Sequence, residues 1–170
     1  MKKQIYVTNG MARSGKDSFA EILNKYIPTM KYSSIDWVKE IAEECGWDGA
    51  KTERDRKFLS DLKMLISEYS NMPFKKVEEK INEFLNNDKY SVLLIDIREP
   101  SEIDKVKNAF NAKTILINND RVKFINSNAG DAGVYDYDYD YMVQNNSTID
   151  VFEENIKSFY ESVIKQKINK

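Results

Sequence analysis

The sequence predicts an α/β three-layer sandwich: a parallel central sheet, helices on both faces and a short lid. Three observations carry this expectation. Strand-like and helix-like segments alternate, which calls for crossover connections and parallel pairing. The run Ser91-Val92-Leu93-Leu94-Ile95-Asp96 is nearly all apolar, as a central strand covered on both faces must be. A hydrophobic strand, a glycine-bounded turn and an amphipathic segment open the chain in that order. At 170 residues, with no Gly/Pro/Ser-rich linker and no internal repeat, residues 1–170 read as one domain.

The elements follow from local pattern. Ile5 and Val7 supply the first strand, and Phe19, Ala20, Ile22, Leu23, Tyr26 and Ile27 recur at helical spacing after the turn. A short second strand is expected at Thr29–Ser33. A helix follows over Ser34–Glu44, with Ile35, Val38, Ile41 and Ala42 on one face. Cys45 beside it reads as a packed small apolar group, not a nucleophile. Thr52–Ser70 is a stronger helix, whose apolar stripe is Phe58, Leu59, Leu62, Leu65, Ile66 and Tyr69. Pro73 suits the start of another, carrying Val77, Ile81, Phe84 and Leu85. Pro100 fits the first turn of the helix after the buried strand, with Ile103, Val106, Ala109 and Phe110 as its apolar positions. Thr114–Ile117 and Tyr141–Val143 read as the last strands. Ile149, Phe152, Ile156, Phe159, Val163 and Ile164 mark a C-terminal helix.

Composition removes several function classes. The formal charge is −2, so bulk electrostatics argue against nucleic acid as a partner. A single cysteine builds neither a disulfide framework nor a Cys₄ zinc site. Histidine is absent, so proton chemistry falls to Asp, Glu, Lys or Tyr. No apolar run approaches the length of a membrane span, and Met-Lys-Lys-Gln leads into a strand instead of a signal-peptide core. A cytoplasmic protein is expected.

The opening turn, Gly10-Met11-Ala12-Arg13-Ser14-Gly15-Lys16-Asp17-Ser18, has a P-loop's spacing. Backbone N–H groups in such a turn converge on phosphate oxygens, and the following helix presents its positive end to them. Glycines let the backbone pass close to the phosphates. Lys16 is placed to reach the β- and γ-phosphates. Gly10, Ala12, Arg13, Ser14, Gly15, Lys16, Asp17 and Ser18 are thus the candidate ATP-binding set. Asp17 stands where a Ser or Thr usually helps hold Mg²⁺, with Ser18 one place later.

Asp96 ends the buried strand, where a second carboxylate can hold Mg²⁺ directly or through water; the plainer alternative is a strand-end cap. Arg98 can clamp phosphates with its planar fork, or pair at the surface with Glu99 or Glu102. Arg121 follows the next strand at the head of a weakly periodic stretch. A lid arginine there would stabilise charge on the transferring phosphoryl group, with Lys123 the alternative. Tyr135-Asp136-Tyr137-Asp138-Tyr139-Asp140-Tyr141 alternates as the half-exposed approach to a strand does, tyrosines on one face and carboxylates on the other. Stacking a base or gathering cations is its other reading. Trp37 and Trp47 read as packing residues that could border a base.

With these residues in view, the chain resembles the phage-type deoxynucleoside monophosphate kinases and, more distantly, animal phosphomevalonate kinase. The resemblance lies in Gly15-Lys16-Asp17, in Asp96-Ile97-Arg98, in Ser33-Ser34-Ile35-Asp36-Trp37-Val38-Lys39-Glu40, in Trp47-Asp48-Gly49, and in the Tyr-Asp-Tyr-x-Val-x-Asn from Tyr139 to Asn145. It implies a P-loop kinase-like fold, with an acceptor-side helical region at about 32–88 and a lid at about 119–139. It implies Ser34, Asp36, Lys39 and Arg98 as acceptor-binding residues. Lys16, Asp17, Arg98 and Arg121 become the catalytic set, and Asp17, Ser18 and Asp96 the organisers of Mg²⁺. The expected reaction moves the γ-phosphoryl of ATP to a small-molecule phosphate acceptor, a (deoxy)nucleoside monophosphate first. Dephospho-coenzyme A, a phosphomevalonate-like acceptor, a nucleotide-binding switch or ATPase module, and a nucleic-acid end kinase are the alternatives.

Overall fold

The structure is a computed structural model that describes residues 2–122 and 133–168. Its centre is a sheet in which every pair is parallel: β1 (Gln4–Asn9), β2 (Thr29–Ser33), β3 (Val92–Asp96), β4 (Lys113–Asn118) and β5 (Tyr141–Gln144), in the order β2-β3-β1-β4-β5. Side chains alternate across each strand, so neighbouring positions feed opposite cores. Tyr6 and Leu94 point into one, with Phe19, Leu23, Phe152, Ile156 and Phe159. Val7, Leu93 and Ile95 enter the other, with Val77, Ile81, Phe84, Ile103 and Val106.

The first face is thus covered by α1 (Lys16–Asn24) and α6 (Ile149–Phe159), the latter continued by a π-helical turn over Tyr160–Ile164 and a last turn over Lys165–Ile168. The second face is covered by α4 (Met72–Leu85) and α5 (Pro100–Phe110). Pro73 and Pro100 both sit in the first turns of these helices, where a missing N–H loses nothing. The three-layer architecture is the one the sequence predicts. Among the described residues, no helix is long and apolar enough to cross a membrane.

Two helices stand away from the sheet. α2 (Asp36–Glu44) buries Val38 and Ala42. Cys45, just past its end, is exposed, against the expectation of a packed thiol. α3 (Glu53–Ser70) opens with a reciprocal capping box between Thr52 and Asp55. It packs on α2 and α4 and never reaches the sheet's core clusters. Its apolar stripe consequently remains largely outside: Leu65 is 60% and Tyr69 93% exposed, whereas Lys63 is the residue it buries. The stripe's spacing forecasts the helix correctly and its buried face wrongly. Leu85, Ala109 and Ile149, also expected on apolar faces, are exposed too.

In this order the connection from β1 runs past β3 to β2, while the connection from β3 runs the other way past β1 to β4, so the strand order reverses at β1 and β3. Open α/β sheets bind ligands at that switch point, outside the carboxyl ends of their strands. The turn after β1 occupies it.

Candidate active site

Two glycines shape the turn. Gly10 has φ +151°, and a Cβ there would lie 2.5 Å from the Ile117 carbonyl oxygen and 2.6 Å from Ser14 Oγ. Gly15 caps α1 at φ +104°, and its Cβ would stand 2.5 Å from Asn145 Nδ2. The loop is fastened internally and from outside. Gly10 N–H donates to Asn9 Oδ1 at 2.8 Å, Ser14 N–H to the Met11 carbonyl at 3.1 Å, and Asn145 Nδ2 to the Ser14 carbonyl at 2.8 Å. Asn9 Nδ2 in turn donates to Tyr139 Oη at 2.8 Å.

Lys16 folds back over the turn, donating to the Gly10 carbonyl at 2.7 Å and the Met11 carbonyl at 3.1 Å. Burial brings its pKa down to about 8, against the pull of Asp96. Ser14 Oγ is buried and, among the described residues, has no hydrogen-bond partner; the residue lines the cleft above. A buried hydroxyl without an acceptor suits a turn that expects an anion.

That cleft has a volume of about 790 Å³. Ala12 to Ser18 line one side; Ser34, Asp36, Lys39, Trp47, Arg56 and Lys63 line the other; Asp96 and Arg98 stand between, at the end of β3. The cationic lining is Arg13, Lys16, Lys31, Lys39, Lys51, Arg56, Lys63 and Arg98, against the carboxylates Asp17, Asp36, Asp96 and Glu99. Eight cations facing four anions give the cleft a positive excess in a chain whose net charge is −2. Cationic clefts with low-dielectric walls concentrate anionic ligands.

Asp17 and Asp96 both line the cleft and share one partner, Lys31. Among the described residues no group of three or more His, Cys, Asp or Glu could hold a metal ion. Mg²⁺ at phosphoryl-transfer sites takes one or two carboxylates together with waters and phosphates, so this pair, with Ser18 alongside, fits that role. Thr8 Oγ1 donates a short hydrogen bond to Asp96 Oδ1, and Asp96 Oδ2 is 3.2 Å from Lys31 Nζ. Lys31 also makes a short ion pair with Asp17. Its hydrogen bond holds the Asp17 carboxyl below the usual range, and the two carboxylates raise the Lys31 ammonium's pKa despite the burial that opposes it.

On the other wall, Asp36 opens α2 by accepting from Ser33 N–H at 2.9 Å and from Lys39 Nζ at 2.9 Å. Lys63 reaches down from α3 to Ser34 Oγ (3.1 Å), Glu99 Oε2 (2.7 Å) and Glu102 Oε2 (2.8 Å). Burial, and repulsion from Glu99, push the Glu102 carboxyl up; at Glu99 burial is outweighed by Lys63, and its pKa falls. Glu99 and Glu102, the surface partners considered for Arg98, are both engaged by Lys63.

Most of the residues singled out from sequence therefore converge on one cleft. Gly10 and Arg121 do not line it. Gly10 acts from beneath as backbone. Arg121 donates from Nη2 to the Asn145 carbonyl at 3.1 Å and from its backbone N–H to Asn119 Oδ1 at 3.1 Å. Lys123 and much of the expected lid lie outside the described residues. The Tyr/Asp repeat becomes strand only at Tyr141. Before that the tyrosines part company: Tyr137 Oη donates to Asp104 at 2.6 Å, Tyr139 Oη to the Val134 carbonyl at 2.8 Å, and Tyr135 is 47% exposed. Asp140 fastens the start of β4 through Thr114 N–H and Oγ1, each at 2.9 Å, and Lys113. Trp47 borders the cleft and donates its indole N–H to the Ala50 carbonyl at 3.0 Å.

Sequence reading missed Lys31, Lys63 and Asn145 as contributors to the site. A lone lysine on an edge strand or an exposed-looking helix face carries no local signal. Asn145 had one, as the last residue of the strand-end motif.

The sequence matches no protein-family model and no curated protein. Among solved structures the chain is similar to a dephospho-CoA kinase from Campylobacter jejuni: 15% identity and TM-score 0.57 over 94% of this chain and 96% of that one. It is also similar to a thymidylate kinase from Ehrlichia chaffeensis (13%, TM-score 0.57, 93% and 98%) and one from Candida albicans (14%, TM-score 0.51, 95% and 92%). The chain has the fold of these P-loop kinases.

Proposed function

We propose that the protein is an ATP- and Mg²⁺-dependent small-molecule kinase that transfers the γ-phosphoryl group to the phosphate of a (deoxy)nucleoside monophosphate. One observation carries this reading: a P-loop opens directly onto a cleft whose lining is strongly cationic although the chain as a whole is not. Such a cleft suits two phosphate-bearing ligands end to end.

In this reading the turn from Gly10 to Ser18 cradles the donor phosphates, and Lys16 exchanges its backbone carbonyls for phosphate oxygens. Mg²⁺, held by Asp96, Asp17 and Ser18, would neutralise charge on the bridging phosphates. Arg98 offers its fork of donors where donor and acceptor meet, and Ser34, Asp36 and Lys39 line the acceptor side. Phosphoryl transfer asks mainly for alignment and charge neutralisation. Arg121 is assigned a positioning role: through the backbone of Asn145 it supports the amide that fastens the P-loop.

A phosphate acceptor is favoured over a hydroxyl by the state of the cleft's carboxylates. A hydroxyl needs a base, yet Asp36 is engaged by Lys39, Asp17 and Asp96 by Lys31, and Glu99 by Lys63. For Asp17 and Glu99 the lysine lowers the carboxyl pKa and so weakens it as a proton acceptor. A phosphate, with a second pKa near 6, brings its own anionic oxygen. Dephospho-coenzyme A and other hydroxyl acceptors rank lower for that reason.

A coupled assay of ADP release with ATP and a panel of nucleoside and deoxynucleoside monophosphates tests the reading. Stimulation by at least one acceptor, abolished in Lys16→Ala, is expected. No stimulation across the panel rejects it, and acceptor-independent hydrolysis would then indicate an ATPase module.

A further inference from the structure

Lys31 lies on the edge strand β2, and its side chain reaches the cleft between two carboxylates from different elements. One is Asp17, in the first turn of α1; the other is Asp96, at the end of β3. Asp17 is 86% exposed, so the ion pair with Lys31 is what holds its carboxylate over the cleft. Asp96 is only 14% exposed. Oδ1 is taken by the Thr8 hydroxyl, and Oδ2 faces Lys31 at 3.2 Å. One ammonium thus bridges the oxygens that a divalent cation would need.

We propose that Lys31 is the resident countercation of the Asp17–Asp96 pair and excludes divalent metal from the cleft until a nucleotide brings it. The inference rests on the kinase reading in taking these two carboxylates as the metal's protein ligands. Two cations cannot share the space between them without strong repulsion. A triphosphate changes the balance, because its oxygens can hold both the metal and a displaced ammonium. Lysine suits such a part: its compact charge rides on a flexible stem and can swing from carboxylate to phosphate. The empty protein then keeps both acids aligned without an idle metal ion, and metal binding becomes coupled to nucleotide binding.

The test is Mn²⁺ binding to the nucleotide-free protein, followed by the EPR signal of the free ion and independent of turnover. The proteins are the unmodified chain, Lys31→Met, Lys31→Gln and Lys31→Arg, each with its thermal melt recorded. The two neutral variants should bind Mn²⁺ on the order of 10- to 100-fold more tightly, while Lys31→Arg stays with the unmodified protein. Adding Asp96→Asn to Lys31→Met should abolish the gain. Equal or weaker Mn²⁺ binding in both neutral variants overturns the proposal, as does undetectable binding throughout or a gain that survives Asp96→Asn. Failure here leaves acceptor-stimulated ADP release untouched, so the two readings fall separately.

Discussion

Lys63 is 5% exposed and holds two carboxylates at the start of α5, so replacing it with methionine isolates the energetics of that buried cluster. Methionine keeps the aliphatic stem and removes the charge. Breaking a buried ion pair from one side costs about 3–5 kcal/mol, because the surviving charge stays desolvated. Here the two survivors differ. The Glu99 side chain is 40% exposed and can turn to water, whereas that of Glu102 is 11% exposed and cannot. One stranded carboxylate sets the scale, and Lys63→Met should destabilise by about 2–4 kcal/mol. For a chain of this length that lowers Tm by roughly 5–15 °C. Urea unfolding followed by circular dichroism measures the loss. Because burial raises the Glu102 pKa, the deficit should shrink as pH falls through that raised value and the stranded carboxyl protonates. Lys63→Met combined with Glu102→Gln should recover much of the stability at neutral pH. A single-variant loss below about 1 kcal/mol, the scale of exposed pairs, would refute the reasoning, as would a double variant no better than the single.

Three further outcomes concern the P-loop and the start of β4. Burial places the Lys16 pKa at about 8 in the empty protein. ATP binds the ammonium form, so affinity measured calorimetrically should fall about tenfold for each pH unit above 8; a flat profile to pH 10 would contradict the contact. Gly10→Ala should destabilise by roughly 2–4 kcal/mol and Gly15→Ala by about 1–2. The first Cβ meets a backbone carbonyl, the second a movable Asn145 amide, and Asn145→Ala should partly relieve only the second; equal urea midpoints would count against this. Asp140 lies below the usual carboxylate range because its bonds to Lys113 and Thr114 outweigh burial. Its contribution is present above the unfolded value of 3.8 and is lost as pH falls below it. Asp140→Asn should therefore flatten acid unfolding below that pH, and an unchanged acid limb would exclude the role.

How much of the site the sequence carried depended on how local its signals were. The P-loop was fully legible because its chemistry is a run of consecutive residues, with Gly10 and Gly15 at positions whose torsions exclude most side chains. Asp96 and Arg98 were legible because a buried strand announces where its carboxyl end lies. Lys63 was not, since the apolar periodicity of α3 centred the buried face on Leu62, and the face that is buried is turned toward Lys63. The helix lies over the cleft with its main packing on α2 and α4, so its apolar stripe finds no sheet to cover it. Arg121 was read as a lid arginine from its position after β4; its guanidinium instead supports Asn145, on the turn after β5.

By itself, the sequence determined the parallel α/β architecture, the glycine-bounded turn after the first strand and the absence of histidine. Each is written in neighbouring residues or in composition. Tertiary structure alone decided which charges meet. Lys31 stands between Asp17 and Asp96, Lys63 between Glu99 and Glu102, and Asn145 against Gly15, because parallel strands bring distant segments to one edge of the sheet. Ion pairs between residues far apart in sequence leave no periodic trace along the chain, since each depends on the fold that brings its partner near.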